Sequence, residues 1–172
     1  IVMAVVEAAA DFQFPLVVDP VMISKHGHRL VSAQAEQAIR EKLLPCCALV
    51  TPNIPEAEVL SGIKIDTEQD VREAGKRILD LGARAVLIKG GHLAGEPFDF
   101  LYPDRLFPGR RIPTVHTHGT GCTYSAAITA GLAQGLALPE AIGRAKDYIQ
   151  RAIETAPGMG AGQGPVNHFA AI

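Results

Sequence analysis

The chain has 172 residues, of which 48% are hydrophobic and 20% are charged, a balance typical of a globular protein with a sizeable core. With 16 Lys and Arg against 18 Asp and Glu, the formal net charge is -2; there is no basic stripe interleaved with aromatic residues, which argues against nucleic acid as a partner. The apolar start, residues 1–10, contains Glu7 and is too short to span a membrane.

Strand-like and helix-like segments alternate along the chain. The spacing predicts, in order, a strand at 16–18, a helix at 32–43 capped by Ser32, a strand at 48–50 and a helix at 53–62. Next come a helix at 67–81 that opens with the capping-box pair Thr67 and Asp70, a strand at 85–88, and a hairpin of 98–102 with 110–112. A small-residue helix at 120–134, a helix at 139–154 and a Gly-rich loop at 157–165 follow.

Short Val, Leu and Ile strands joined by helices predict an α/β fold, with a mostly parallel sheet flanked by helices. No repeat or low-complexity linker divides the chain, so we predict a single domain over residues 1–172. Ligands of such sheets bind at the carboxyl ends of the strands. Asp19, Thr51 and Lys89 each stand at a predicted strand end, which indicates a site at that edge.

The cysteines and the start of the chain bear on its setting. Cys46, Cys47 and Cys122 form no C-x-x-C pair, and the adjacent Cys46 and Cys47 are poorly placed to bridge each other. Few cysteines and no secretory leader predict a reducing, cytoplasmic location. The chain begins without Met and within a helical pattern, which we interpret as the sign of a piece of a longer protein.

The strongest local motif is His118-Gly119-Thr120-Gly121-Cys122-Thr123, at the start of the predicted helix 120–134. Two glycines let the backbone turn tightly and present N–H groups to an anion, and the helix dipole adds to that attraction. The first turn of a helix also favours the ionised form of a thiol, so Cys122 would accept a proton from an attacking hydroxyl. Alternatively, the glycines only shape a loop and Cys122 is a small buried residue. The motif alone leaves both interpretations open.

The remaining polar candidates also have two interpretations each. Asn53 and Glu56 have the spacing of a capping box, and on spacing alone we favour that role. The Glu56 carboxylate would also suit Mg²⁺. Asp19 before Pro20 suits a turn, and a strand-end Lys such as Lys89 is commonly solvated. The six histidines lack zinc-ligand spacing, and apart from His118 we interpret them as incidental.

Four blocks occur in a fixed order along the chain. They are Asp19-Pro20-Val21-Met22, Thr51-Pro52-Asn53-Ile54-Pro55-Glu56-Ala57-Glu58, Ile88-Lys89-Gly90-Gly91-His92 and Thr117-His118-Gly119-Thr120-Gly121-Cys122-Thr123, followed by the closing Gly164-Pro165-Val166-Asn167-His168-Phe169. This order resembles the ribokinase-like superfamily, and within it the hydroxymethylpyrimidine/phosphomethylpyrimidine kinases of thiamine biosynthesis. The resemblance runs from about Leu16 to Phe169.

The resemblance implies a ribokinase-like domain that uses ATP to phosphorylate 4-amino-5-hydroxymethyl-2-methylpyrimidine and its monophosphate. Cys122 would be the catalytic base, at a position where the wider superfamily has Asp, and Gly119, Thr120 and Gly121 would form the anion hole. Val21 would border the pyrimidine, whereas a Val directly after a strand also suits the core. The implied nucleotide-binding residues are Asp19, Thr51, Asn53, Glu56, Lys89 and Lys146, with Asp19 and Glu56 also holding Mg²⁺ through water. For Lys146, a plain surface position on a helix is the simpler explanation.

Some features depart from the family pattern. His116 stands where Asn is usual and Pro113 where Asp is common, both just before the glycine motif. The family's N-terminal region, with a glycine-rich substrate loop and a pyrimidine-reading Gln, is not in this sequence, so we expect the 172-residue chain alone to have little kinase activity. A pyridoxal kinase and a non-catalytic ligand-binding module derived from a kinase are the alternatives. The sequence leaves a homo-oligomer and a need for a monovalent cation open.

Overall fold

The computed structural model describes residues 1–24, 27–91 and 96–171. The chain forms two compact units, a first unit (Ile1–Leu106) and a second unit (Phe107–Ile172). Within the described ranges, no helix combines the length and the apolar character that crossing a membrane requires. The single domain predicted over residues 1–172 stays a prediction.

The first unit alternates strands and helices largely as predicted. Its elements are α1 (Val2–Ala9), β1 (Val17–Val18), α2 (Ala33–Ala38), β2 (Leu49–Val50), α3 (Ile54–Ser61), α4 (Glu68–Asp80), β3 (Leu87–Lys89) and β4 (Phe98–Leu101). After α2 the chain continues helically as a π-helical turn, Ile39–Leu43, and a 3₁₀ turn, Leu44–Cys46. The strand β5 (Arg105–Pro108) lies across the boundary between the units.

The sheet is parallel on the side that matters for the candidate site. β1 pairs with β2 in parallel, with Val17 opposite Leu49. Parallel bridges from Val50 to Val86 and from Asn53 to Lys89 join the β2 region to β3. β3 then pairs with β4 in antiparallel register, and β5 follows β4 in the sheet. Because parallel strands end at the same edge, the residues that follow β1 and β2 and the last residue of β3 come together there.

The second strand of the predicted hairpin is wrong. β4 is followed by a turn at 102–104, and the return strand is β5 (Arg105–Pro108), while residues 110–112 lie outside any strand. The physical reason is the Pro103-Asp104 pair, a turn signal that reverses the chain directly after β4. Pro108-Gly109 then ends the strand before residue 110 is reached.

Both predicted capping boxes are present. Thr67 and Asp70 cap α4, whose Val71, Ala74 and Ile78 are completely buried. Asn53 and Glu56 cap α3 in the same reciprocal way, and this helix ends at Gly62 in the left-handed conformation. The apolar faces of these helices and the strands form one core, which includes Val50, Leu60, Ile78, Ile88 and Phe100. Burying one such side chain contributes about 1.5–3 kcal/mol.

The second unit is built around two long helices, α5 (Thr120–Ala133) and α6 (Leu138–Glu154). They pack on each other through buried Ile128, Ile142 and Ile149. Gly131 permits close approach, because a Cβ there would lie 3.0 Å from the Cβ of Ala141. The tail at 157–165 is irregular, as predicted, and returns to form a parallel bridge between Pro165 and His118.

Candidate active site

Three of the predicted site residues meet at the edge of the first unit's sheet, and we call Asp19, Thr51 and Lys89 the strand-end cluster. Lys89 Nζ lies 2.7 Å from Asp19 Oδ1, and the side chains are only 12% and 17% exposed. Thr51 is fully buried, and its hydroxyl lies 3.4 Å from the same Asp19 oxygen. The backbone N–H of Lys89 donates to Pro52 O at 2.8 Å. The cluster is therefore a largely buried ion pair, held in place by hydrogen bonds from Thr51 and to Pro52.

Glu56 lies under this edge and is 2% exposed. Its Oε2 accepts the N–H of Asn53 at 2.9 Å, while Asn53 Oδ1 accepts the N–H of Glu56 at 2.9 Å. The N–H of Met22 also donates to the carboxylate. Burial raises the pKa of Glu56 and outweighs the opposing effects of the Asn53 hydrogen bond and the Lys89 charge; the charge of Asp19 raises it further. Glu56 therefore caps α3 and binds the backbone of the segment after β1. The cap is compatible with the second expected role, contact with Mg²⁺ through water.

The two carboxylates fit a hydrated Mg²⁺ better than a closed metal cage. Asp19 is already engaged by Lys89, and Glu56 by two backbone N–H groups. Mg²⁺ keeps several waters and commonly uses only one or two carboxylates together with substrate phosphates. In the described part of the chain, no group of three or more His, Cys, Asp or Glu residues is arranged to hold a metal ion. Asp19 and Glu56 thus suit contact through water.

Val21 lies beside the strand-end cluster at the surface. Its N–H donates to Asp19 O at 2.9 Å, and its side chain is 45% exposed. An apolar residue in that position is not part of the core. The neighbouring Met22, by contrast, is 1% exposed and packs inside. The Asp19–Met22 block therefore anchors itself through Met22 and presents Val21 outward.

In the second unit, the motif His118–Thr123, which we call the glycine loop, leads into the first turn of α5. Gly119 is the N-cap and has φ +80°, a value in the left-handed region that favours glycine. Thr120 Oγ1 donates to Thr117 O at 2.8 Å, and the N–H of Thr123 donates to Gly119 O at 2.9 Å. Within the described residues, the N–H groups of Gly121 and Cys122 donate to no acceptor. Two unengaged donors at a helix start suit an anion.

Cys122 is exposed, so the alternative that it is a small buried residue is wrong. It borders a groove of about 520 Å³ on the α5–α6 pair. The groove has a floor of small and aliphatic residues, and its polar lining includes Thr123, Arg144, Tyr148 and His168. The thiol therefore stands at the surface beside an open groove, where a reacting hydroxyl has access to it.

Lys146 is placed on α6 against α5. Its Nζ lies 5.8 Å from the centroid of the Tyr124 ring, within the range of a cation–π contact. The side chain is half-buried, so it is not a plain solvated lysine. Its predicted role at the nucleotide stays a prediction.

Sequence reasoning missed two histidines. His116 Nδ1 accepts the N–H of Gly164 at 3.2 Å, and His168 Nε2 lies 3.1 Å from Thr123 Oγ1. Both therefore have structural contacts that the sequence did not indicate, while the interpretation that they serve no metal site stays a prediction. The available signal was that His168 belongs to the closing block of the family resemblance. His26 and His92 lie outside the described residues.

Comparisons with known proteins place this geometry in a family. The model of the phosphomethylpyrimidine kinase family matches residues 1–167. A Staphylococcus aureus hydroxymethylpyrimidine/phosphomethylpyrimidine kinase is 44% identical over 162 residues, which is 91% of this chain and 59% of that relative. The chain thus spans about three fifths of the length of this relative.

Two solved structures are also similar. A Clostridium difficile phosphomethylpyrimidine kinase has a TM-score of 0.76 and 41% identity, covering 88% of this chain and 63% of that one. A Bacillus subtilis pyridoxal kinase in complex with ADP has a TM-score of 0.87 and 37% identity, covering 98% and 65%. The ribokinase-like α/β fold is confirmed, and the chain belongs to the phosphomethylpyrimidine kinase family.

Proposed function

We propose that the chain carries the nucleotide side and the catalytic loop of a kinase that phosphorylates 4-amino-5-hydroxymethyl-2-methylpyrimidine and its monophosphate. The family match and the name of the S. aureus relative support this acceptor. The ADP complex of the B. subtilis neighbour supports a nucleotide as the donor. The observation that carries the proposal is the exposed Cys122 thiol in the same helical turn as two unengaged backbone N–H groups.

The glycine loop would perform the transfer itself. Cys122 Sγ takes the proton of the acceptor hydroxyl, and that oxygen forms a bond to the γ-phosphorus of ATP. The bond between the γ-phosphorus and the β–γ bridging oxygen breaks, and ADP leaves with that oxygen. The N–H groups of Gly121 and Cys122 stabilise charge on the transferring phosphoryl group, with Gly119 and Thr120 shaping the turn.

The first unit would hold the phosphates of the donor. Lys89 supplies a positive charge, with Thr51 and Asn53 supporting the same edge. Asp19 and Glu56 would hold hydrated Mg²⁺, which neutralises phosphate charge when bound. Val21, exposed beside this edge, would border the pyrimidine ring, and Lys146 would act at the nucleotide. A monovalent cation, a homo-oligomer and a cytoplasmic location stay predictions.

The second candidate is a pyridoxal kinase. The B. subtilis pyridoxal kinase covers more of this chain, with a higher TM-score, than the C. difficile phosphomethylpyrimidine kinase does. Both acceptors are heteroaromatic rings bearing a hydroxymethyl group, so the same base and anion hole would serve either. Asp at the position of Cys122 would have favoured pyridoxal more strongly. The third hypothesis, a non-catalytic module, predicts that these ligands bind without transfer of a phosphoryl group.

A chimeric enzyme separates these candidates. In it, this chain replaces the matched 59% of the S. aureus relative, and ADP release is followed with each acceptor. We expect turnover of the hydroxymethylpyrimidine to exceed that of pyridoxal by at least about 10-fold in kcat/KM. Because the S. aureus part supplies the N-terminal substrate loop, the acceptor ratio of the parent enzyme is the baseline. A shift towards pyridoxal relative to the parent would establish the second candidate, and ligand binding without ADP release would establish the non-catalytic one.

The unmodified chain and the parent S. aureus enzyme are run beside the chimera as controls. The parent shows that the assay detects turnover. The unmodified chain tests the expectation of little activity alone, which robust turnover would contradict.

A further inference from the structure

The C-terminal segment 164–168, which we call the strap, runs along the glycine loop. The N–H of His118 donates to Gly164 O at 3.0 Å, and the N–H of Val166 donates to His118 O at 3.3 Å. His118 directly precedes Gly119, the N-cap of α5. The strap therefore holds the backbone immediately before the two unengaged N–H groups.

Gly164 makes this approach possible. Its N–H donates to His116 Nδ1 at 3.2 Å. A Cβ at this position would lie 2.5 Å from His116 Nδ1 and 2.5 Å from Met159 O, so no other residue fits without movement. The strap is thus in tight contact with the loop on two sides, through the backbone at His118 and the ring at His116.

A second connection reaches the first turn of α5 itself. His168 Nε2 lies 3.1 Å from Thr123 Oγ1, and the Tyr148 hydroxyl donates to His168 O at 2.9 Å. Thr123 is also the residue whose N–H closes the first helical hydrogen bond, to Gly119 O. The strap therefore contacts the chain on both sides of Gly121 and Cys122.

The strap is itself fixed to the end of α6. The N–H of Asn167 donates to Ala152 O at 2.8 Å, and Asn167 Nδ2 donates to Thr155 Oγ1 at 3.0 Å. Val166 is 2% exposed, which anchors the segment in the apolar interior. The strap therefore links the C-terminal end of α6 to the glycine loop through hydrogen bonds at both places.

We propose that the strap orients the anion hole, and that His168 is a positioning residue that acts through Thr123. Phosphoryl transfer depends on donors that are already in place, and small displacements of such donors are costly. The consequence for catalysis rests on the proposed function, whereas the orientation of the loop does not. The proposal gives His168 no contact with a reacting atom: it acts through Thr123, as a positioning residue and not a catalytic one.

Charge-selective alkylation of the unmodified chain tests the orientation without requiring kinase activity. Iodoacetate is anionic and iodoacetamide is neutral, so the ratio of their rates at Cys122 reports the local attraction for an anion. Exposed Cys46 is an internal reference, while burial raises the pKa of the Cys47 thiol to about 12 and keeps it unreactive. Peptide mass spectrometry separates the sites. We expect the ratio to be higher at Cys122 than at Cys46.

The variants then test the strap. We expect Thr123→Val and His168→Ala to lower the Cys122 ratio by about 3-fold, a size set by helix-terminus electrostatics. Thr123→Ser and His168→Gln, which keep a hydrogen-bonding group, should restore most of it. Thr123→Val changes no charge, so its effect cannot come from the imidazole. Phe169→Ala is the matched control, because this neighbouring side chain is 97% exposed.

Two results would overturn the proposal: an unchanged ratio in His168→Ala and Thr123→Val, or an equal loss in Phe169→Ala. If Thr123→Val fails to fold by circular dichroism, the exposed His168 variants decide alone. In the chimera, His168→Ala should lower kcat by about 10-fold and leave KM for ATP within about 2-fold. A chimera inactive with every acceptor would sink the proposed function and leave the alkylation result standing.

Discussion

The strand-end cluster and the glycine loop both suit phosphate, but one relies on charged side chains and the other on backbone N–H groups. The cluster is dominated by the opposite charges of Asp19 and Lys89, which are mostly buried and partly neutralise each other, with the Thr51 hydroxyl beside them. The glycine loop uses uncharged backbone N–H groups that the structure leaves unengaged, beside an exposed thiol. Burying charge requires a partner, whereas exposing backbone donors requires only a rigid conformation.

The two regions therefore tolerate different kinds of substitution. Removing one charge from the cluster leaves its partner uncompensated, so stability and ligand binding should fall together. Disturbing the glycine loop should cost less folding energy, because its residues are half-buried or exposed and carry no buried charge. There, transfer should fall far more than stability.

The largest effect on stability is expected from Lys89→Met, which leaves the Asp19 carboxylate mostly buried without its ion-pair partner. The ion pair is mostly buried, so we expect the free energy of unfolding to fall by about 2 kcal/mol, between the values for exposed and buried pairs. Lys64→Met is the matched control, because Lys64 is 76% exposed in its pair with Glu58 and its loss should destabilise the fold far less. Urea unfolding measures both. Equal losses would show that the burial of the cluster is unimportant.

A smaller loss of stability, joined to a larger loss of transfer, is expected for Gly119→Ala. The positive φ makes a side chain unfavourable by about 1 kcal/mol, although nothing lies closer than 3.9 Å to the added Cβ. Gly135→Ala is the matched control after the other end of α5, with φ +83° and no atom within 4 Å. Both variants should lose similar stability by thermal unfolding. In the chimera, only Gly119→Ala should slow transfer, by about 10-fold; similar rates would contradict the role of the loop.

The smallest effect concerns a capping box away from both regions. Hydrogen bonds from the Thr67 hydroxyl and from the N–H groups of Asp66 and Thr67 hold the pKa of Asp70 below its ordinary value. A carboxyl with a lowered folded pKa stabilises the fold above its unfolded pKa, and this contribution is lost as the pH falls through the folded value. Asp70→Asn should therefore lower Tm at pH 7, and the difference in Tm from the unmodified chain should shrink as the pH falls through the lowered folded pKa of Asp70.

Asp104→Asn is the control for this titration. Asp104 is an exposed carboxylate that accepts no hydrogen bond within the described ranges. Its difference in Tm from the unmodified chain should stay small across the same pH range. If the difference in Tm between Asp70→Asn and the unmodified chain does not change with pH, the capping explanation is contradicted.

Local signals in the sequence were sufficient wherever neighbours along the chain decide the structure. The capping boxes at Asn53 and Thr67, the end of α3 at Gly62, and the start of α5 at the glycine motif all follow from short spacings. The hairpin is the exception, because the turn signal Pro103-Asp104 lies inside the span predicted for it and moves the return strand to Arg105–Pro108. Order along the chain predicted Asp19, Thr51 and Lys89 at one edge, since parallel strands end together.

Partners distant in sequence were beyond such reasoning. Lys89 pairs with Asp19 across 70 residues, and His168 contacts Thr123 across 45. Neither spacing carries a periodic signal, and a histidine in a Gly-rich tail has no pattern of its own. The exposure of Cys122 was open for the same reason, since a cysteine in a small-residue helix suits a buried or an open position equally.

The most direct test of the account is Cys122→Ala in the chimera. Single-turnover formation of ADP and product measures transfer, and titration with an ATP analogue measures donor binding. We expect a loss of transfer of about 10²-fold or more, the scale of general-base catalysis, with donor affinity within about 2-fold of the parent chimera. Transfer at the parent rate in Cys122→Ala would contradict the assignment of Cys122 as the base.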